Sequence, residues 1–184
     1  MGNVRKIPPA ALVAGVLYRD DDIYDRTIEA LKTEYGPLEK ESPPFPFDMT
    51  DYYAPEMGGY LFKRFVCFSD PVDPGDLSRI KLFTNGLETE FARTVDDKIR
   101  RRVNIDPGYV TMSKLVLATT KDYSHRIYIG EGIFAETTLR FLKGSFAPID
   151  TTYPDYATPL ALGFFNSVRA FVKENRELWT RNSE

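Results

Sequence analysis

Histidine and cysteine each occur only once in this chain, as His125 and Cys67. One His and one Cys cannot supply a structural zinc site or a His-rich catalytic zinc site, so we expect no zinc. The same count excludes two-histidine phosphoesterase chemistry. A lone cysteine also excludes an intramolecular disulfide. Because Cys67 lies between Val66 and Phe68, we predict a small core residue in a reducing compartment.

Several sequence motifs are absent as well. No Gly-Lys dipeptide occurs, which excludes a Walker A loop, and there is no Gly-x-Gly-x-x-Gly fingerprint and no Gly-x-Ser-x-Gly elbow. No segment approaches the roughly 20 apolar residues of a membrane span, and the first residues lack the apolar region of a secretory signal. We therefore expect a cytoplasmic protein that does not associate with membranes.

What is present is the composition of an ordinary globular protein. The chain has 184 residues, of which 42% are hydrophobic and 28% charged, and this predicts one domain over 1–184 with a sizeable core. The net charge of -3 does not favour a nucleic-acid partner.

Hydrophobic periodicity and turn residues predict an alternation of strands and helices. Asp73 and Pro74 are typical of a helix start, and the apolar spacing that follows extends to Val95. Within this helix Gly86 predicts close packing or a local break. The predicted strands lie at 11–18, 38–41, 61–68 and 109–119, with a hairpin at 126–129 and 133–141; the predicted helices lie at 21–35, 73–95 and from 158 to a polar tail at 181–184.

The order through residue 119 is strand-helix-strand-strand-helix-strand. This is the pattern of a ferredoxin-like βαββαβ core with a mostly antiparallel sheet. A β-hairpin and a C-terminal helix would extend it. The predicted fold class is therefore α+β.

Two short segments offer groups that suit an anion. Asn-Ile-Asp-Pro-Gly-Tyr over 104–109 predicts a tight turn, which could also present Asp106 to a ligand. Thr119, Thr120 and Lys121 follow an apolar strand, and their two hydroxyls and one ammonium suit a phosphate or carboxylate. A solvated strand end explains the second segment equally well.

His125, Asp106 and Glu136 are the candidate catalytic groups. A histidine can act as a general acid or base near neutral pH, although a structural role is favoured for His125. Arg126 follows it directly, and strand alternation would direct the two side chains to opposite faces. Glu136, Thr138 and Arg140 share one face by the same rule, and we predict a polar ladder exposed to water.

The remaining charged groups lie in loops or along helix surfaces. Asp51, Glu56 and Asp155 belong to two aromatic loops, and their oxygen ligands would suit magnesium without predicting a fixed metal site. We interpret Lys81, Asn85 and Glu88 as a solvated helix stripe, and the basic run over 98–102 as a solvated helix end.

A set of short motifs extends over nearly the whole chain. They are Phe47-Asp48, Thr50, Tyr52-Tyr53, Glu56-Met57-Gly58, the segments 104–109, 114–121 and 125–128, Gly132-Ile133, Glu136, Thr138, Leu139 and the segment 152–156. In these motifs the chain resembles an uncharacterised bacterial family of unknown function. Some members of that family carry an inherited GTP-binding label. This sequence lacks both the P-loop and the Asn-Lys-x-Asp guanine signature, so the resemblance implies no mechanism.

These observations favour a protein that binds a small anion or nucleotide. They are compatible with a binding protein and with an enzyme that acts on a phosphorylated small molecule. The alternatives are a non-catalytic interaction domain that uses the aromatic loops for a protein partner or a homo-oligomer, and a weak RNA binder that uses 98–102. The predicted ligand-binding residues are Lys114, Thr119, Thr120, Lys121, Arg126, Asp51, Glu56 and Asp155.

Overall fold

A computed structural model describes residue 3 and residues 7–182. The described residues form one large antiparallel sheet, a small hairpin and four α-helices. Short 3-10 turns lie at Pro74–Asp76 and Pro154–Ala157. The elements are β1 (Ala10–Tyr18), α1 (Asp21–Tyr35), β2 (Leu38–Glu41), β3 (Phe45–Phe47), α2 (Ala54–Met57), β4 (Leu61–Val72), α3 (Leu77–Glu90), β5 (Arg93–Val95), β6 (Lys98–Arg100), β7 (Val103–Val110), β8 (Lys114–Thr119), β9 (Ile127–Gly130), β10 (Ile133–Leu142), β11 (Ser145–Pro148) and α4 (Pro159–Asn182).

The large sheet runs in the order β11-β10-β8-β7-β1-β4-β2, with β3 also paired to β4 and β9 to β10. Every pairing is antiparallel. The prediction of an α+β class with an antiparallel sheet is therefore confirmed. All nine residues of β1 are buried, as its uninterrupted apolar sequence requires of a central strand covered on both faces.

Helices cover the sheet on both faces and make three layers. On one face α1 and α3 pack against the even-numbered residues of β1, with Ile23, Leu31 and Leu87 among the helix contacts. On the other face α4 packs Phe165 and Val168 against the odd-numbered residues. The two-residue period of a strand thus divides one apolar sequence between two cores.

The second long helix is shorter than predicted. Its start is confirmed, because the Asp73 carboxylate accepts a hydrogen bond from the Gly75 amide at 2.8 Å. Its predicted extension to Val95 is wrong: α3 ends at Glu90, and Val95 belongs to β5. Asp96 and Asp97 both adopt positive φ, which forms the two-residue turn of the β5–β6 hairpin.

That hairpin also corrects the interpretation of the basic run. Residues 98–100 form strand β6 and do not extend a helix. The predicted break or close packing at Gly86 is wrong too, since α3 passes through it without interruption and a Cβ there would meet no atom within 4 Å.

The predicted turn over 104–109 is wrong, and the segment lies within strand β7. Pro107 pairs with Ala14 of β1 and has no partner from β8, so its missing N–H removes no hydrogen bond on that open side. Gly108 is needed for close approach, because a Cβ there would collide with the Val116 carbonyl oxygen and lie 2.7 Å from Leu117. The predicted strand over 109–119 is in fact two strands, β7 and β8.

Strands β7 and β8 separate soon after they meet. They pair only at Gly108 with Leu117, Tyr109 with Val116 and Val110 with Leu115. Beyond this point β8 continues beside β10, whereas residues 103–107 of β7 pair only with β1. The sheet is therefore forked between β7 and β8.

The C-terminal third contains the predicted hairpin and helix. The β9–β10 hairpin is confirmed, with Glu131 at positive φ in its turn. Thr158 begins α4 by accepting a hydrogen bond from the Ala161 amide, but the helix extends to 182, so the predicted polar tail at 181 is partly helical. Among the described residues, no helix has both the length and the apolar character needed to cross a membrane.

Candidate functional site

A cavity of about 660 Å³ opens at the fork between β7 and β8. Helix α3, the end of β8 and the loops around 47–53 and 153–156 form its walls. Five basic and four acidic residues line it, together with aromatic side chains. These are Lys63, Lys81, Arg101, Lys121 and Arg126; Glu88, Asp106, Glu136 and Asp155; and Phe47, Tyr52, Tyr53, Tyr153 and Tyr156.

Two side chains of α3 replace the missing strand partner of β7. Lys81 donates a hydrogen bond to the Ile105 carbonyl oxygen at 2.7 Å, and the Ile105 amide donates to Glu88 at 2.8 Å. Both side chains are buried, and their charged atoms lie 3.9 Å apart. Burial raises the pKa of Glu88 above its ordinary value, although Lys81 and the Ile105 amide oppose this shift. The interpretation of these residues as a solvated helix stripe is therefore wrong.

The deepest charge in the cavity belongs to Lys63 of β4. Its ammonium group lies 2.7 Å from Asp155 and 3.3 Å from Asp106. Burial opposes the charge of Lys63, but the two carboxylates outweigh it and raise the pKa of Lys63 above its ordinary value. Gly15 of β1 provides the space, because a Cβ there would lie 2.5 Å from the Tyr156 hydroxyl and 2.8 Å from the Lys63 side chain.

Asp106 is held as a carboxylate within this group. Burial favours its neutral form, yet Lys63, Lys81 and a hydrogen bond from the Asn104 amide at 3.1 Å outweigh burial and lower the pKa of Asp106. Strand β7 places Asn104 and Asp106 on the same face, two residues apart. The segment predicted as a turn thus directs Asp106 into the cavity from a strand.

Glu136 joins His125 and Arg126 on the opposite wall. Its carboxylate lies 2.5 Å from Nε2 of His125 and 3.1 Å from Nε of Arg126. The prediction that strand alternation separates His125 from Arg126 is wrong, because both lie in the turn before β9. His125 does not itself line the cavity, and its buried Nδ1 has no hydrogen-bond partner among the described residues.

The predicted wet ladder on β10 is also wrong. A bulge between Thr137 and Leu139 breaks the alternation, so Glu136 and Thr138 are buried while Arg140 is exposed. Glu136 precedes the bulge, pairs with Leu117 of β8 and lines the cavity. Tyr153 accepts a hydrogen bond from Arg126 at 2.6 Å, and burial together with Glu136 raises the pKa of Tyr153 to about 12.

The mouth of the cavity carries the predicted Thr-Thr-Lys segment. Thr119, Thr120 and Lys121 all line the cavity at the end of β8. The Lys121 ammonium donates to the Tyr52 hydroxyl at 2.7 Å and lies 4.1 Å from the centre of the Tyr52 ring. The Lys121 amide donates to the Thr119 hydroxyl at 3.2 Å.

Three predicted ligand-binding residues lie elsewhere. Lys114 is exposed at the opposite end of β8, about 16 Å along the strand from Thr119. Asp51 is exposed and does not line the cavity. Glu56 pairs with Arg101 and lines a separate cleft. Within the described residues, no group of three or more His, Cys, Asp or Glu side chains is arranged to hold a metal.

Sequence reasoning missed Lys63, Gly15 and Arg101. Lys63 lies in a strand whose neighbours at 61 and 65 are buried apolar residues on the same face, so the period-two pattern placed a lysine inside the protein. That pattern was available in the sequence. Arg101 donates to Glu88 at 3.4 Å and to Asn104 at 3.0 Å, and nothing in the basic run marked it out from its neighbours.

Comparison with known proteins identifies a family and no individual relative. No curated protein and no solved structure matches the chain. A protein-family model matches residues 8–171, which span the eleven strands of the described residues and about half of α4. The predicted resemblance to a family of unknown function is therefore confirmed. The chain belongs to the family described as Domain of unknown function (DUF4416).

Proposed function

We propose that the cavity at the β7–β8 fork binds a phosphorylated small molecule of nucleotide size, with its anionic group at Lys121. One observation carries the proposal. Of the five basic residues that line the cavity, Lys121 alone has no carboxylate partner among the described residues. An anion that enters the cavity would therefore find an unsatisfied positive charge at its mouth.

Hydrogen-bond donors surround that charge. The Thr119 hydroxyl accepts from the Lys121 amide, which leaves its own proton free to donate. Thr120 is exposed beside it. Arg126 donates once each from Nε, Nη1 and Nη2, so two of the five guanidinium N–H groups remain for a ligand.

The rest of the cavity suits the remainder of a nucleotide. Its volume of about 660 Å³ lies within the range of small-molecule sites. Tyr52 and Tyr53 stand at 88° to one another, with ring centres 5.0 Å apart. Lys121 covers one face of Tyr52, so the other face of Tyr52 and the Tyr53 ring are the flat surfaces offered to a nucleobase. Asn85 and Asp106 line the interior and would supply a hydrogen-bonding amide and carboxylate for sugar or base groups.

The charge states of Asp106 and Lys63 in the cavity favour a role in binding over a role in proton transfer. A general acid or base works best when its pKa lies near the working pH. The pKa of Asp106 is lowered and that of Lys63 is raised, so neither is tuned for this task. Of the two other catalytic candidates, Glu136 and His125, we propose Glu136 as the group that faces a ligand, because it lines the cavity and His125 does not.

A thermal-shift and calorimetric screen with ADP, GDP, sugar phosphates and inorganic phosphate tests the proposal. We expect at least one phosphorylated compound to bind, and Lys121→Gln to weaken its affinity about tenfold, the loss of one charge-assisted hydrogen bond. Lys114→Gln is the matched control, because it removes a lysine from the exposed opposite end of the same strand. Absence of binding by every compound, or equal weakening by both substitutions, would contradict the proposal.

The aromatic loops argue against the alternative of a protein-interaction surface. Tyr156 is 1% exposed, Tyr53 is half-buried and Tyr153 bonds to Arg126, so most of these rings face the cavity. Tyr52 is 56% exposed and Tyr153 is 38% exposed, but their hydroxyls bond to Lys121 and Arg126 at the cavity. These bonds favour the cavity over the outer surface of the loops as the binding site.

We also propose that β1, α1, β2, β4, α3 and β7 form a ferredoxin-like core. The supporting observation is the strand order β7-β1-β4-β2, in which each helix joins two parallel strands that flank a third. The cavity would then lie at the edge strand of this core, where β8 is added.

A further inference from the structure

We propose that a second site, an arginine-lined cleft on the far side of Arg101, binds a compact polyphosphate group such as pyrophosphate. The cleft has a volume of about 260 Å³ and lies between the end of β1, the end of α2 and the β5–β6 hairpin. Arg19, Arg93, Arg100, Arg101 and Arg102 line it, and Asp20 and Glu56 are the acidic residues there.

The charge balance of the cleft differs from that of the whole chain. Five arginines face two carboxylates in the cleft, whereas the chain carries a formal net charge of -3. Like charges gathered in a small concave space repel one another unless a counter-charge enters. An anion with several negative charges would supply it, and the planar guanidinium fork matches the spacing of phosphate oxygens.

Two of the arginines have no partner in the described residues. Neither Arg19 nor Arg93 forms a hydrogen bond or an ion pair there, and both are exposed at the cleft. By contrast, Arg101 bonds to Glu56, and Arg100 bonds to the Pro55 carbonyl. Arg102 lies 3.7 Å from Asp22, beyond ordinary hydrogen-bond distance.

The backbone at the end of α2 lies close to one of these free arginines. Gly58 ends α2 with a φ of +83°, a conformation that favours glycine, and a Cβ at this position would lie 2.8 Å from Nη1 of Arg19. The Arg19 guanidinium therefore lies against the chain at the end of α2. Arg93 faces it from strand β5, so the two free arginines line the cleft from different elements.

The size of the cleft indicates which anion fits. A volume of about 260 Å³ accommodates two linked phosphates but is small for a complete nucleotide. The five arginines line a single cleft of this volume, which favours a compact polyanion over RNA. The site is separate from Lys121, because the two cavities share only Arg101.

Calorimetric titration of the full chain with inorganic pyrophosphate, at low and at physiological ionic strength, tests the inference. We expect one site per chain, weaker at higher salt because of screening. Arg19→Gln and Arg93→Gln should each weaken binding at least about tenfold, as expected for the loss of a charge-assisted contact. Both residues are exposed, and circular dichroism will show that the variants remain folded.

Two control variants distinguish binding in this cleft from diffuse attraction to surface arginines and from binding at Lys121. Arg79→Gln removes an arginine of α3 whose side chain is 78% exposed, and it should leave binding unchanged. Lys121→Gln should also leave it unchanged, which keeps this result independent of the fate of the main cavity. The inference is overturned if pyrophosphate does not bind, if Arg79→Gln weakens binding as much, or if Lys121→Gln abolishes it. It is also overturned if an RNA oligonucleotide displaces pyrophosphate and binds far more tightly.

Discussion

The Lys81 ammonium lies 2.7 Å from the Ile105 carbonyl oxygen and donates the hydrogen bond that a neighbouring strand would otherwise supply. Glu88, two helical turns further along α3, accepts a hydrogen bond from the Ile105 amide. A strand edge inside a protein needs partners for its backbone groups, because an unpaired buried amide or carbonyl is unfavourable. The lysine and the glutamate supply both partners, and so keep the fork between β7 and β8 open.

Removal of either member of this pair should therefore destabilise the fold. Lys81→Met leaves the Ile105 carbonyl without a donor and leaves Arg101, at 3.4 Å, as the cationic partner of Glu88. We expect a loss of about 1–3 kcal/mol in the free energy of unfolding, the cost of an unsatisfied buried polar group. The double variant Lys81→Met/Glu88→Gln should lose less than the sum of the single changes, because no buried charge is stranded. Urea denaturation measures both. Lys32→Met, at an exposed pair with Glu29, is the control and should change stability by less than about 1 kcal/mol.

Two glycine-to-alanine substitutions with opposite expected effects on stability test the packing of β7 against β8. A Cβ on Gly108 would collide with the Val116 carbonyl oxygen, which belongs to the strand backbone and cannot move aside easily. Gly108→Ala should destabilise the protein by about 1–3 kcal/mol or more. Gly86→Ala meets open space in the middle of α3 and should stabilise the protein by about 1 kcal/mol through helix propensity. Equal effects in thermal unfolding would show that β7 and β8 are not as close as described.

Gly108 also shows why part of the fold was predictable and part was not. The apolar run at 11–18 and the helix stop at Gly36 and Pro37 are local signals, and the structure follows them closely. Asp-Pro-Gly is an equally strong local signal for a turn, yet here it lies in a strand. Proline is tolerated because one side of β7 is open there, and glycine is required because β8 approaches closely. Both reasons depend on where neighbouring strands lie in the folded protein, which the local sequence does not show.

The same distinction holds for the candidate site. The sequence identified three residues that line the cavity, because each is a polar residue at a predicted strand end or turn. They are Asp106, Thr119 and Lys121. Lys63 was missed, although its buried neighbours on the same strand face place it in the interior. The convergence of His125 and Arg126 on Glu136 could not be predicted, because it depends on the turn that precedes β9.

The pairing of Asp106 predicts a dependence of stability on acid pH. Burial opposes its ionisation, but Lys63 and Lys81 outweigh burial, so the pKa of Asp106 is lower in the folded state. For such a group the stabilisation is complete above the unfolded pKa of about 3.9 and is lost as the pH falls through the folded pKa. We expect the free energy of unfolding to decline below about pH 5. Asp106→Asn should flatten that decline, whereas Asp25→Asn, at an exposed position of α1, should leave its slope unchanged.

Glu136 and Arg140 test whether the bulge in β10 governs the opposite wall of the cavity. Without the bulge the two side chains would share one face of β10 by strand alternation, and their replacement would have similar effects. In the structure Glu136 is 4% exposed and holds both Arg126 and His125, so Glu136→Gln removes the charge that compensates a largely buried guanidinium. We expect a loss of about 3–5 kcal/mol in urea denaturation for Glu136→Gln, and a change within about 0.5 kcal/mol for the exposed Arg140→Gln. Because Arg126 also anchors Tyr153 and the Lys121 carbonyl, Glu136→Gln should expose 149–158 to limited proteolysis. Equal losses from the two substitutions would show that the alternation of β10 is intact.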